Sequence, residues 1–155
     1  MSPLVLAEYP VIRSLQTRWS DNDSNGHLNN AVYYELFDTL INDWVAEQPP
    51  PGGTAAGRGP EPVPVVAESH CRFRAELSYP GAVTGALRVG RLGRTSIAYE
   101  LALFRPGPDG AAERATLAAT CDWVHVYIDR ATRRPVPLPP RVRDAARALT
   151  SRAGG

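Results

Sequence analysis

The sequence predicts an α+β domain in which one long helix packs against one antiparallel sheet. A single window starting near Asn30 has strong helical periodicity, one short strand precedes it, and four strand-like stretches separated by turn-forming residues follow it. The 155 residues, 43% hydrophobic and 21% charged, are enough for one core and one domain spanning 1–155.

The first strand is expected from Val11 to Trp19, where Val11, Leu15 and Trp19 are apolar and Arg13 and Thr17 interrupt them. The next stretch, SDNDSNGHLNN, is too rich in Asp, Asn, Ser and Gly for an element interior and predicts a turn. In the helix of about 18 residues that follows, Tyr33, Leu36, Phe37, Leu40, Ile41 and Trp44 fall on one face. Asn29 or Asn30 is its natural N-cap. Residues 48–62, rich in Pro and Gly, form a connector that cannot continue the helix.

From Val63 to Leu77 the apolar or small residues alternate with Glu68, His70, Arg72, Arg74 and Glu76, which predicts a strand with one core face and one polar face. Tyr79, Pro80 and Gly81 then make a turn. Val83–Leu92 and Ser96–Phe104 read as a hairpin around Gly93, and a last long strand runs from about Arg114 to Ile128. A short helix is expected near 140–150, with Pro140 at its start. One helix covers only one face of a five-stranded sheet, so a second subunit is expected to cover the remainder or extend its edge.

Composition excludes several chemistries. All seventeen basic residues are arginine, which rules out a Schiff-base lysine and a P-loop lysine. A net charge of +1 provides no broad basic field for nucleic acid. There is no signal-peptide pattern and no run near the ~18 apolar residues of a membrane span, so a cytoplasmic protein with no membrane partner is expected. Cys71 and Cys121 stand apart from any CxxC pair and read as reduced core thiols. His27, His70 and His125 lack metal-ligand spacing, and no metal is expected. Neither a G-x-S-x-G elbow nor a dinucleotide glycine motif is present.

What remains is the turn before the helix, where Asp21, Asp23, Asn25, His27, Asn29 and Asn30 crowd a helix N-terminus. Unpaired N–H groups and the positive end of the helix dipole there suit a carbonyl oxygen gaining negative charge, and a nearby carboxylate suits attack or activation of water. The same residues also suit simple turn formation and capping.

The segment TRWSDNDSNGHLNNAVYYELFDTLINDW resembles the signature of the hotdog-fold acyl-CoA thioesterases, the 4-hydroxybenzoyl-CoA thioesterase superfamily, in the form D-x-D-x-x-G-H-x-N-N-x-x-Y. The order of elements and the closing RRPVPLPPRVRDAARAL are similar to that family as well. The resemblance implies a hotdog fold, a sheet wrapped around the long helix, in a homodimer or homotetramer with sites between subunits. It implies hydrolysis of an acyl-CoA or acyl-carrier-protein thioester, with no cofactor and coenzyme A entering only as part of the substrate.

In that family the second aspartate of the pair is nucleophile or general base, which here is Asp23, and Asp21 is structural. The helix N-terminus polarises the thioester carbonyl through backbone N–H groups, implying Asn30 with Asn29 beside it. Plant acyl-carrier-protein thioesterases, also similar, have a D-x-N-x-H set matching Asp23, Asn25 and His27. Their additional glutamate falls near Tyr79, where this chain has none.

Arg91 and Arg94, with Arg88, are candidates for the phosphates of coenzyme A or a phosphopantetheine arm. Ser96 lies where a hotdog site receives residues from the partner, and Tyr33 is a candidate substrate contact on the helix stripe. The rival readings are a hotdog hydratase or dehydratase on a thioester and a non-catalytic acyl-thioester sensor.

Overall fold

The computed structural model describes residues 5–49 and 61–150. Most of the expected connector lies outside the described residues. Five strands and two α-helices follow the predicted order: β1 (Val11–Leu15), α1 (Asn30–Ala46), β2 (Val63–Phe73), β3 (Val83–Leu92), β4 (Ser96–Arg105), β5 (Thr116–Ile128) and α2 (Pro140–Ala148). The strands form one antiparallel sheet in the order β1-β3-β4-β5-β2.

Helix α1 forms because its apolar residues recur on one face, and the sheet supplies the surface that buries them. Phe37, Leu40 and Ile41 are fully buried, with Leu36, Trp44 and Tyr33 nearly so. At about 1.5–3 kcal/mol per fully buried large side chain, this stripe is the main reason the helix docks. Its footprint lies over β3, flanked by β1 and β4. Close approach requires Gly85 on β3, since a Cβ there would stand 2.8 Å from Leu15 Cδ1 and 3.1 Å from Leu40 Cδ2. A smaller cluster of Leu6, Tyr9, Ala86, Ala102 and Phe104 covers part of the opposite face.

Three expectations change. Strand β1 ends at Leu15, whose partner Val83 is the first residue of β3, so no strand remains beyond it to pair with. Trp19 instead opens a 3-10 turn, Trp19–Asp21, and is 81% exposed. Strand β2 stops at Phe73 and does not reach Leu77, because Arg74 and Ala75 both donate to the Ala118 carbonyl as the chain turns.

The third change concerns the alternation along β2, which is broken by a bulge between Val66 and Glu68. Val66 pairs with His125 and Ser69 with Trp123, so these two face α1, whereas Val63 and Val65 turn to the other face. Strand β2 is also an edge, and Val66 and Phe73 are about half exposed on it. The period-two pattern is real, but the face it marks is only partly covered: Cys71 packs against the core and Phe73 against the Tyr33 ring, while Val66 and Ser69 stay exposed.

On β5 the helix-facing row is Cys121, Trp123, His125 and Tyr127, all buried. Burial lowers the His125 imidazole pKa to about 4, with the Asp38 carboxylate opposing the shift. In the unfolded chain this imidazole titrates near ~6.5, so the unfolded state takes up the proton first. Stability is therefore lost as the pH falls from about 6.5 toward 4, by about 3 kcal/mol at full extent. Urea denaturation at pH 7 and pH 4.5 is expected to show this loss in the wild type and a smaller one in His125→Gln.

Candidate active site

The loop between β1 and α1 is built by its own polar side chains. Asp23 N–H donates to the His27 carbonyl at 2.9 Å, and Gly26 N–H to the Asp23 carbonyl at 3.1 Å. Gly26 has φ +85°, a conformation that favours glycine. The Asp23 Oδ1 accepts the Asn25 N–H at 2.8 Å, fixing the carboxylate over the turn. A bridge between Asn22 and Leu28 closes the loop, which places Asp23 and His27 opposite each other. Asn25 is exposed, and Asp23 and His27 are half-buried.

Five hydrogen bonds hold this loop and the helix behind it to the segment after β2. Leu28 N–H donates to the Leu77 carbonyl at 2.8 Å, and the Asn22 side-chain amide bonds both the carbonyl and the N–H of Tyr79, each at 2.9 Å. Tyr33 reaches the same segment from α1: its hydroxyl accepts the Leu77 N–H at 3.1 Å and donates to the Ala75 carbonyl at 3.4 Å. The Tyr33 hydroxyl is thus committed to the chain itself, and burial raises its pKa.

Asp21 and Asp23 differ sharply. The Asp21 side chain is buried and accepts hydrogen bonds from the Arg18 main chain at 2.7 Å and from its guanidinium at 2.9 and 3.1 Å. Burial pushes the Asp21 carboxyl upward, but these hydrogen bonds outweigh it and hold the pKa below the ordinary carboxylate value. Asp21 secures the turn, and Asp23 remains open to a ligand.

The helix N-terminus distinguishes the two asparagines. Asn29 is the N-cap: its Oδ1 accepts the Ala31 N–H at 2.9 Å and its carbonyl accepts the Val32 N–H. Its own N–H donates to the Asp21 carbonyl at 2.9 Å, so the expected pair of donors reduces to one. Among the described residues no hydrogen bond engages the N–H of Asn30, which is exposed at the positive end of α1.

Sequence reasoning missed one member. Glu76 Oε1 lies 3.5 Å from His27 Nε2, brought there by the bend after β2. The spacing of the plant-type set points three residues further on, to Tyr79, because sequence alone gives no sign that the strand ends early. Glu76 is largely exposed while His27 is half-buried, so the contact orients the imidazole more than it adds stability.

The hairpin candidates lie elsewhere. Ser96 pairs with Val126, and Tyr127 N–H donates to the Thr95 carbonyl. Arg143 of α2 donates to the carbonyls of Gly93 and Arg94, and Arg141 to that of Val45. Arg91, Arg94 and Ser96 are therefore at the C-terminal end of α1, a helix of 17 residues and about 25 Å. One protomer does not bring them to Asp23. Surface concavities of about 270 and 350 Å³, lined respectively by residues such as Tyr9 and Arg88 and by Arg13 and Glu47, are likewise away from the loop. Among the described residues no three His, Cys, Asp or Glu side chains converge as a metal site, and no helix is long and apolar enough to cross a membrane.

A family model described as the thioesterase-like superfamily matches residues 17–146. The PA5185 protein from Pseudomonas aeruginosa strain PAO1 is 38% identical over 97% of this chain and 98% of its own, with a TM-score of 0.82. A thioesterase from Thermus thermophilus, solved with coenzyme A and Zn, is 25% identical over 90% of this chain and 98% of its own, with a TM-score of 0.68. A variant of 4-hydroxybenzoyl CoA thioesterase bound to 4-hydroxybenzoyl CoA is 17% identical over 90% and 98%, with a TM-score of 0.72, a likeness of fold. No curated protein matches the chain.

The contrast between the two aspartates is testable by urea denaturation. Asp21→Asn is expected to cost about 1–3 kcal/mol by disturbing a buried, hydrogen-bonded carboxylate. Asp23→Asn, whose amide oxygen still accepts the Asn25 N–H, is expected to stay within about 0.5 kcal/mol of the wild type.

Proposed function

We propose, for a chain that belongs to the thioesterase-like superfamily and has the hotdog fold, that it hydrolyses an acyl thioester of coenzyme A or of an acyl carrier protein. The observation that carries this reading is an open Asp23 carboxylate on the closed loop together with the unengaged N–H of Asn30, two residues beyond the bridge that closes it. Such hydrolysis needs a group to attack the carbonyl or activate water, and a donor for the oxygen that becomes negative. It needs little acid assistance, because the thiol leaving group has a pKa of only ~8.5.

In this reading the thioester carbonyl oxygen accepts from Asn30 N–H at the helix N-terminus. Asp23 either attacks the carbonyl carbon, giving an anhydride that water then opens, or takes a proton from a water that attacks the same carbon. In both routes the C–S bond breaks, the thiolate leaves and is protonated, and the acyl group departs as a carboxylic acid. An ordinary carboxylate is a weak base, so positioning by the Asn25 N–H supplies much of its effectiveness. His27, oriented by Glu76, faces the same loop and holds water or the carboxylate in place.

The enzyme acts in the cytoplasm as a homodimer or homotetramer, without a cofactor. The exposed edge of β2, with Val66 and Phe73, supports a subunit contact. Arg91, Arg94 and Ser96, remote from Asp23 within one chain, reach the site from a second copy, where the arginines meet phosphates of the carrier.

Free-thiol release from a panel of short, medium, long and aromatic acyl-CoAs tests the reading. Asp23→Asn is expected to lower kcat/KM at least ~100-fold with the protein still folded. Equal turnover by this variant would discard the Asp23 mechanism, and no release from any acyl-CoA or acyl carrier protein would discard hydrolysis.

A further inference from the structure

Charge is spread unevenly over this molecule. Among the described residues seven arginines have a carboxylate oxygen within 4.0 Å and eight have none. Six of those eight, Arg91, Arg94, Arg130, Arg133, Arg134 and Arg143, stand at one end of the sheet, where the β3–β4 hairpin, the turn after β5 and helix α2 meet. The Arg143 guanidinium donates to the Gly93 and Arg94 carbonyls at 2.9 and 2.8 Å, Leu138 N–H donates to the Arg94 carbonyl at 3.1 Å, and Pro135 bridges to Ile128 at the end of β5. All six are exposed except Arg143, which is half-buried.

The hairpin and the stretch from Asp129 to Ala148, with Glu61 against them, hold eight arginines and three carboxylates, whereas the whole chain is only +1. The remainder of the chain is therefore net negative. Each of the three carboxylates is engaged: Glu61 pairs with Arg141, Asp144 lies 3.6 Å from Arg147, and the Asp129 Oδ1 accepts the Ala131 and Thr132 N–H groups of its own turn. In that turn Arg133 has φ +61°, a conformation that glycine or asparagine adopts at less cost, so an arginine there is not a demand of the turn.

Crowded like charges raise the free energy of an isolated surface, and a polyanionic partner relieves it. The pattern selects among polyanions. Arg91 and Arg94 already suffice for the phosphates of one nucleotide, and four further arginines on two other segments make a surface wider than a nucleotide. A nucleic acid would extend past this end onto the net-negative remainder of the chain. A compact protein with a carboxylate-rich face meets the arginine end alone. The position of this end fits delivery to the site: β2 runs from Val63, paired with Ile128 at the arginine end, to Phe73, next to the segment that grips the Asp23 loop. When two copies join their β2 edges as antiparallel strands, each arginine end comes beside the other copy's Asp23 loop.

We propose that the arginine end docks the acidic face of a carrier protein, so that the thioester arrives on a protein-borne phosphopantetheine arm in preference to free coenzyme A. The proposal rests on the thioesterase reading of the Asp23 loop and names the partner that reading leaves open. Guanidinium–carboxylate pairs across an exposed surface are individually weak and screened by salt, and they act chiefly on the rate of encounter.

The test compares octanoyl-CoA with the same acyl group on an acyl carrier protein, in the wild type and in a chain carrying both Arg133→Asn and Arg134→Gln. At low salt the wild type is expected to show kcat/KM at least ~10-fold higher for the carrier-protein thioester, and to lose most of that advantage in about 0.5 M NaCl. The double variant is expected to lower this kcat/KM at least ~5-fold, through KM, and to leave Tm and the use of octanoyl-CoA unchanged. Equal loss on both substrates overturns the proposal in favour of a phosphate site, as does a carrier preference that salt or the double variant does not move. Better use of octanoyl-CoA by the wild type overturns it as well and leaves the hydrolase reading standing. Binding of the unloaded carrier protein to Asp23→Asn is read separately, and is expected to weaken when the two arginines are also replaced. A DNA duplex that binds this chain more tightly than the carrier protein does overturns the choice of partner. If no thioester is hydrolysed the hydrolase reading fails by itself, and the binding measurement still decides whether the arginine end docks an acidic protein.

Discussion

The segment from Ala75 to Tyr79 grips the loop before α1 through Leu28, Asn22 and Tyr33, and the site depends on that grip. A loop of Asp, Asn, Ser and Gly has no apolar surface with which to hold itself down, so its geometry must come from hydrogen bonds to something rigid. The rigid partner is the chain leaving β2, itself held by the Ala118 carbonyl of β5. Through this chain of contacts the sheet determines where α1 starts, and so where its unengaged N–H and the Asp23 carboxylate stand. The helix stripe supplies the free energy of docking, and the hydrogen bonds supply the register.

The polar residues of the loop divide the work by burial. Asp21 is surrounded by donors and takes no part beyond the turn. Asn29 commits its side chain, N–H and carbonyl to capping, and through that leaves the next N–H as the exposed one. Asp23 is restrained by a single N–H on Oδ1, enough to orient it and not enough to shield it. This division explains how a cluster that reads equally well as a turn can also leave one carboxylate and one N–H open.

A second polar region, beneath α1, shows the opposite balance. Around Asp23 the buried side-chain polar atoms of the described residues have partners, whereas on β5 Trp123 Nε1 and His125 Nδ1 have none among the described residues and sit against one another's rings and that of Tyr99.

Much was legible in the amino-acid order. Helix α1 could be read because its stripe repeats every three to four residues, and the polar turn before it with its asparagine cap because turn and cap chemistry is local, whereas the roles given to Asp23 and His27 came from the family resemblance. The strand order, the bulge after Val66, the early end of β2 and the consequent meeting of Glu76 with His27 could not, since each depends on which strands become neighbours. The same holds for Asn29 and Asn30, equivalent as cap residues until the Asp21 carbonyl takes one N–H, and for Tyr33, whose hydroxyl finds Leu77 only across 44 residues of sequence. Local periodicity and capping are properties of short windows, and the sequence by itself determined them. Which polar atom is satisfied and which is left for a ligand depends on contacts between distant segments, and only the tertiary structure decided that.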